Sequence, residues 1–393
     1  MPGRSDIEWA CLPLEQLLVA PGEPERAHRR AADFDAVFFD ADATELQVQR
    51  RIGPRPFPTI DLIRLPPTLL QDPAAVARMG LIAHRVVMAG ALCPGSAADV
   101  LQRGVLAQWQ QPGPRGARVA GFLEMVRLTV REVGAAADCP PLARFFLHMA
   151  HAALMAAALD AAAQTCPNVF TRAPLYAQAA GERLGVPLQH TLPAALGLLG
   201  SPAAMEAPLL QLQRLARRRC PPPAWPAAMR DGTRSEFAYW RAPAEITSRI
   251  AAARVMAAEG DAPAAVFYLR YAAWSLVRLA MVHRRAVEGH AHHVSFIRPE
   301  CAVLPDLLAH HAPLVEPWLA VFDGDNDCDA AATEAALSHL LALREPMAVH
   351  LARCGLAIEL PEWRPWRPER ISPITTPEEE THGDRARPVE PAV

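Results

Sequence analysis

Lysine is absent from the chain: its 39 fixed cations are all arginines, set against 42 acidic side chains. That gap excludes whole mechanisms, because a Walker-type phosphate loop, a kinase site and Schiff-base chemistry each need a lysine amine. Arginine still grips phosphate and carboxylate, in two-pronged fashion. The formal net charge of -3 gives no field that would steer a polyanion, so neither nucleic acid nor an acidic membrane surface is an expected partner. Paired cysteines are missing too. Cys11, Cys93, Cys139, Cys166, Cys220, Cys301, Cys328 and Cys354 are scattered, with no C-x-x-C and no histidine at zinc-module spacing, so they read as buried or free thiols of a reducing, cytoplasmic setting. The first residues lack a basic segment followed by an apolar one, and no secretory leader is expected. Long uninterrupted apolar runs are also scarce. The most apolar stretch, 145–163, is broken by His148, His151 and Asp160 and reads as a buried bundle helix, since charges in mid-membrane are costly.

What the chain does have is length and apolar content, 393 residues at 51% hydrophobic and 21% charged, enough for two or three domains with ample cores. Strand signals are confined to the start: Leu17-Leu18-Val19, Asp35 to Phe39, Gln47-Val48-Gln49 and Ile60 to Leu65, separated by turns rich in proline and glycine. Asp72-Pro73 then reads as a cap and first-turn proline for a helix over 74–88. Beyond it the 3.6-residue period predicts helices at about 97–110, 117–136, 140–164, 174–184, 203–219, 243–259, 262–287, 301–320 and 330–355, broken at Pro112-Gly113-Pro114, Pro140-Pro141, Pro221-Pro222-Pro223 and Gly260-Asp261. The expected class is α+β: a small mixed sheet at the N-terminus followed by a large all-α bundle region. The expected organisation is an α/β domain over 1–95, a helical bundle over 96–220, a proline-rich linker over 221–242, a second bundle over 243–367, and a disordered tail over 368–393. Phe145-Phe146-Leu147-His148 and Phe267-Tyr268-Leu269-Arg270 head long helices 122 residues apart, so the second bundle either repeats the first or matches it by shared Ala- and Leu-rich composition.

Within the sheet region, Asp33-Phe34-Asp35 opens a β-branched and aromatic run, and Asp61 sits in the middle of Thr59-Ile60-Asp61-Leu62-Ile63-Arg64-Leu65. Residues two apart on a strand share a face, so Asp33 and Asp35 point one way while Phe34 and Phe38 take the other side and pack into a core. A bare carboxylate in a strand interior costs several kcal/mol without a partner. Three acids on neighbouring strands suggest a divalent cation, with Arg50, Arg51 or Arg64 as the alternative partners of Asp61.

Gly22-Glu23, a gap of nine residues, Asp33-Phe34-Asp35 and a third acid at Asp61 together resemble the nucleotidyltransferase superfamily over residues 12 to 90. The family pattern has a serine where this chain has Glu23 and a strand residue where it has Pro21, so the Gly-Ser motif is degenerate. The resemblance implies a small-molecule nucleotidyltransferase-like domain followed by a bundle, in which Asp33, Asp35 and Asp61 hold Mg²⁺ and Asp61 helps deprotonate an acceptor hydroxyl. It also implies that Gly22 and Glu23 mark the turn beside the nucleotide, with Arg26, Arg29 or Arg30 taking over phosphate contacts. The implied partners are a nucleoside triphosphate and a small-molecule acceptor. The alternative is a fold that has lost the chemistry, a pseudoenzyme or scaffold that binds a protein partner.

Three further patterns carry chemistry. Asp323, Asp325, Asp327 and Asp329 with Glu334 resemble a calcium loop, yet the sixth place, where a glycine must turn the chain, is Cys328; the plain reading is an acidic loop with Asp329 capping the next helix. His290, His292 and His293, with His310-His311 further on, could ligate a metal. Arg278 and His283 fit the loose Arg-x-x-x-x-His spacing that resembles HEPN-type ribonucleases, a spacing that 39 arginines also produce by chance. Arg217-Arg218-Arg219 reads as a solvated helix end favoured by the dipole.

Overall fold

The computed structural model describes residues 17–21, 34–40, 43, 47–52, 59–91, 93–137, 139–289, 303–322 and 329–365. Five strands form one mixed sheet: β1 (Leu17–Pro21), β2 (Phe34–Phe39), β3 (Gln47–Ile52), β4 (Thr59–Leu65) and the two-residue β5 (Gly90–Ala91), in the order β3-β4-β2-β1-β5. Only β2 and β4 run parallel; the other neighbours are antiparallel. Ala36, Val37, Phe38 and Phe39 are all buried, as expected of a central strand covered on both faces.

A 3-10 turn (Pro67–Gln71) leads into α1 (Pro73–Ala77), whose cap is the expected one, the Asp72 carboxylate accepting from Ala75 N–H at 2.9 Å. The helix predicted over 74–88 is two helices. Gly80, at φ +52°, takes a left-handed turn that few side chains tolerate, and α2 (Leu81–Met88) starts afresh after it. With α3 (Ala97–Gln108), these helices cover one face of the sheet: Val37, Phe39, Ile63 and Leu65 pack with Val76, Ile82, Val86, Leu101 and Val105 in a small core. Phe38, expected to pack into a core on the side away from the acids, is buried and belongs to the opposite set of alternating positions.

Among the described residues every element after α3 is a helix: α4 (Pro112–Ala135), α5 (Pro140–Ala161), α6 (Val169–Leu184), α7 (Leu188–Ala195), α8 (Pro202–Arg219), α9 (Asp231–Arg241), α10 (Pro243–Ala258), α11 (Ala262–Val287), α12 (Val303–Phe322), α13 (Ala330–Ala342) and α14 (Arg344–Arg353). The mostly helical body expected from the periodicity is therefore present. Proline behaves as a starter more often than a stop. Pro112, Pro140, Pro202 and Pro243 all lie at the first position of a helix, where the missing N–H has no partner to lose, so α4 begins where a break was expected. Where proline falls inside, the helix kinks just before it: Arg172 ahead of Pro174 and His311 ahead of Pro313 leave helical geometry.

One continuous apolar core runs from Val119 to Trp363 and draws on both stretches read as separate bundles. At its centre lie α5 and α11. Both are long and apolar enough to cross a membrane, and their most apolar windows are 100% and 89% buried inside the protein, so their hydrophobicity serves the core. Within the stretch expected as a linker, α9 carries Phe237, Tyr239 and Trp240 into that core and also packs along β3. An edge strand left bare is a pairing hazard; here a helix from far along the chain lies beside it.

Candidate functional site

The strand register brings two of the three predicted acids side by side. β2 and β4 pair in parallel with Asp35 opposite Asp61, followed by Ala36 opposite Leu62 and Val37 opposite Ile63. Adjacent strands run about 4.8 Å apart, so the two positions stand within the reach of one divalent ion or of an ion pair about 3.5–4 Å apart. Like charges directly opposite on neighbouring strands repel, and a counter-charge is required. On its other flank Asp61 has Arg50 of β3 as register partner. By the two-residue alternation, positions 35 and 61 continue the rows of Val37 and Phe39 and of Ile63 and Leu65, which α1–α3 cover. Asp33, Gly22, Glu23, Arg26, Arg29 and Arg30 lie outside the described residues.

Asp40, an acid the sequence reading passed over, lies just past the end of β2. It is 9% exposed and accepts from Arg64 Nε at 2.5 Å. The alternation puts positions 40 and 64 on the face opposite to 35 and 61. Arg64, named as a candidate partner for Asp61, is thus engaged on the other side.

Deeper in, α2, α4 and α5 meet at a buried polar knot. Arg118 donates from Nε and Nη2 to the two oxygens of Asp160, both at 2.7 Å, and to the carbonyls of Ala77 at 2.6 Å and Trp109 at 3.0 Å. Its guanidinium lies 3.8 Å above the Trp109 ring. His84 accepts from Cys166 N–H at Nδ1, 3.0 Å away, and turns Nε2 to Asp160 at 3.4 Å. Cysteine, histidine and aspartate in one line suggest a nucleophile with its base and orienting acid. Three observations exclude it. Cys166, His84 and Asp160 are each fully buried; the ring nitrogen beside the sulfur is already taken by a backbone N–H; and burial pushes the Cys166 thiol well above its ordinary range. The knot is a brace between the sheet region and the helical body.

The Arg278 and His283 pair does not form a shared site. Five residues apart on a helix, they differ by about 140° of rotation. Arg278 is clamped by Glu236 of α9, whereas His283 lies beside His311, ring centroids 6.3 Å apart. Asp329 caps α13, its carboxylate accepting from Ala332 N–H at 2.6 Å, in line with the plain reading of that acid. Of the other carboxylates of the calcium-like loop, Glu334 is exposed on α13, while Asp323, Asp325 and Asp327 lie outside the described residues, as do His290, His292 and His293; His310 is exposed. Arg217, Arg218 and Arg219 fill the last turn of α8, the expected place for cations at a helix C-terminus.

One cluster with ligand character was not foreseen. Cys220, His283 and His311, far apart in sequence, bring one ligand atom each to within 4.8 Å of one another. Compared with family models, with curated proteins and with solved structures, the chain finds no match.

Proposed function

We propose that the N-terminal sheet is nucleotidyltransferase-like and that it transfers a nucleoside monophosphate from a nucleoside triphosphate to a hydroxyl of a small molecule, with Mg²⁺ held by Asp35, Asp61 and Asp33. One observation carries this reading: the parallel register that makes Asp35 and Asp61 direct partners. Two acid positions made neighbours by backbone pairing, in a chain without lysine, suit hard divalent ions that prefer oxygen ligands and keep substrate phosphates among them. When bound, the ion would neutralise the developing charge on the transferred phosphoryl group. The acids would orient it, and Asp61 would take the proton of the attacking hydroxyl.

A specific observation supports a second reading. Arg50 flanks Asp61 in register, and an arginine can supply the counter-charge in place of a metal; with Glu23 at the serine position, that would leave a nucleotidyltransferase-like fold without chemistry, kept as a binding module. Calorimetric titration of ATP, GTP, CTP and UTP, each with and without Mg²⁺, separates the two. Catalysis predicts Mg²⁺-dependent binding of at least one nucleotide that falls at least tenfold in Asp35→Asn and Asp61→Asn. Absence of heat with all four nucleotides refutes the transferase reading, and binding indifferent to Mg²⁺ and to both substitutions favours the inactive one.

A further inference from the structure

Three helices converge on Cys220, His283 and His311. Cys220 ends α8, His283 lies near the end of α11, and His311 occupies the kink of α12, where φ −136° and ψ 33° leave helical geometry. Cys220 is fully buried and His311 is 6% exposed. Both ring nitrogens of His311 and Nδ1 of His283 are buried, and none has a hydrogen-bond partner among the described residues. The other buried histidines behave differently: His84, His148, His151 and His350 each place a ring nitrogen on a backbone group. A buried polar atom left unmatched costs about 1–3 kcal/mol, so a ring with two such atoms beside a thiol and a second imidazole calls for a partner of another kind.

One sulfur and two imidazole nitrogens form the donor set of borderline-soft transition ions, whereas Mg²⁺ and Ca²⁺ take oxygen. We propose that Cys220, His283 and His311 bind Zn²⁺ as three ligands of a tetrahedral centre. Ideal zinc bonds to sulfur and nitrogen put such ligand atoms about 3.3–3.6 Å apart, so side-chain rotations of about 1 Å close the cluster around the ion. The Cys220 thiol gives up its proton on binding, forming a Zn–S bond and releasing one H⁺ to solvent. Arg219 and Arg241 act electrostatically on Cys220, and Arg219 and Arg284 on His311. With the thiolate cancelling one of the two metal charges, the residual +1 among arginines favours an anion in the fourth position: hydroxide, chloride, or the carboxylate or phosphate of a ligand. The ion would pin the ends of α8 and α11 to the kink of α12. None of this depends on the strand acids.

The test uses the full chain purified without a metal-affinity tag. Elemental analysis should find about one zinc per chain. After stripping, Zn²⁺ added in competition with a chromophoric chelator should bind at one-to-one stoichiometry with release of one proton. Co²⁺ should give a thiolate-to-cobalt charge-transfer band together with the intense visible bands of tetrahedral cobalt. Cys220→Ser, nearly the same in shape, should lower zinc affinity at least 100-fold and abolish the charge-transfer band; His283→Gln and His311→Gln should lower affinity similarly, while Cys93→Ser behaves as wild type. Circular dichroism of the stripped proteins separates loss of binding from loss of fold, and the wild-type stoichiometry stands whether or not His311→Gln folds. Zinc well below one per chain that cannot be restored, or affinity unchanged in Cys220→Ser, overturns the proposal.

Discussion

Replacing Asp160 with alanine should destabilise the protein by about 3–5 kcal/mol, the range for removing one partner of a buried ion pair. Arg118 is 1% exposed and Asp160 fully buried, so water cannot take over the lost contacts. Two charge-assisted hydrogen bonds of 2.7 Å disappear, while the carbonyls of Ala77 and Trp109 keep theirs; the guanidinium is left with dipoles but no counter-charge. His84 loses the acceptor facing Nε2 at the same time. Set against a typical total of about 5–15 kcal/mol, that is a large fraction. Equilibrium urea unfolding followed by tryptophan fluorescence reads it directly, since Trp109 lies under the guanidinium. The cost comes from the stranded charge, not from missing volume, so Arg118→Met/Asp160→Leu should recover most of it and stand within about 1.5 kcal/mol of wild type. A loss below about 1 kcal/mol in the single variant, or a double variant no better than the single, refutes the reasoning.

Two pH effects of opposite sign follow from other buried groups. Glu132 is 2% exposed with Oε2 unmatched among the described residues, and burial, slightly offset by Arg131, pushes its carboxyl up to about 8. A raised folded value means that wild type loses stability as pH climbs from about 4.5 towards 8; Glu132→Gln avoids this loss, and its advantage in urea unfolding should grow by about 1.4 kcal/mol per pH unit, to about 3 kcal/mol at pH 7. His151 and His148 run the other way: burial pulls His151 down to about 3 and His148 well below its ordinary range, so each contributes stability above pH 6.5 that is lost on acidification. Measured in the Glu132→Gln background, where the opposing slope is gone, these two should cost about 2–3 kcal/mol between pH 7.5 and 5.5, and His151→Gln should remove about half of that; a flat profile contradicts the burial argument.

Helix α11 was legible to the residue because Asp261 caps it through Ala264 N–H, Pro263 opens it, and its apolar period never breaks. The four longer strands were legible as short apolar or alternating runs bounded by turn residues. β5 has two residues and no signal of its own; it exists because β1 offers it an edge. α9 was hidden by its company, a short helix after a proline run, and its apolar residues gain meaning only from the core they enter. Of the candidate site, local sequence could supply the acids but not their pairing, since the register is set by how β2 and β4 meet. The Cys220, His283 and His311 cluster lay beyond any spacing rule. Zinc modules are recognisable when ligands crowd one loop or helix, and here three helices each contribute one. The hints in the sequence were His311, read as a possible metal ligand but beside other histidines, and a histidine on the apolar run Leu279-Ala280-Met281-Val282-His283, a residue type that such a position must either satisfy or use.

The two candidate centres differ in a way that lets them be separated in one protein. As proposed, the strand acids would form an oxygen site for a hard ion that binds weakly without substrate phosphates, whereas the helix cluster would form a sulfur and nitrogen site that holds its ion alone. Dialysis against a chelator of moderate strength followed by Mg²⁺ would therefore restore only the first, and Zn²⁺ at one equivalent would go to the second. The brace at Arg118 and Asp160 and the docking of α9 on β3 tie the sheet to the helical body, so a metal pinning the ends of α8 and α11 to the kink of α12 would stiffen the same body to which α9 and the sheet are joined. Any influence of zinc on nucleotide binding would have to travel through these two ties, so Asp160→Ala should weaken it while the α9 contact with β3 and zinc affinity stay unchanged.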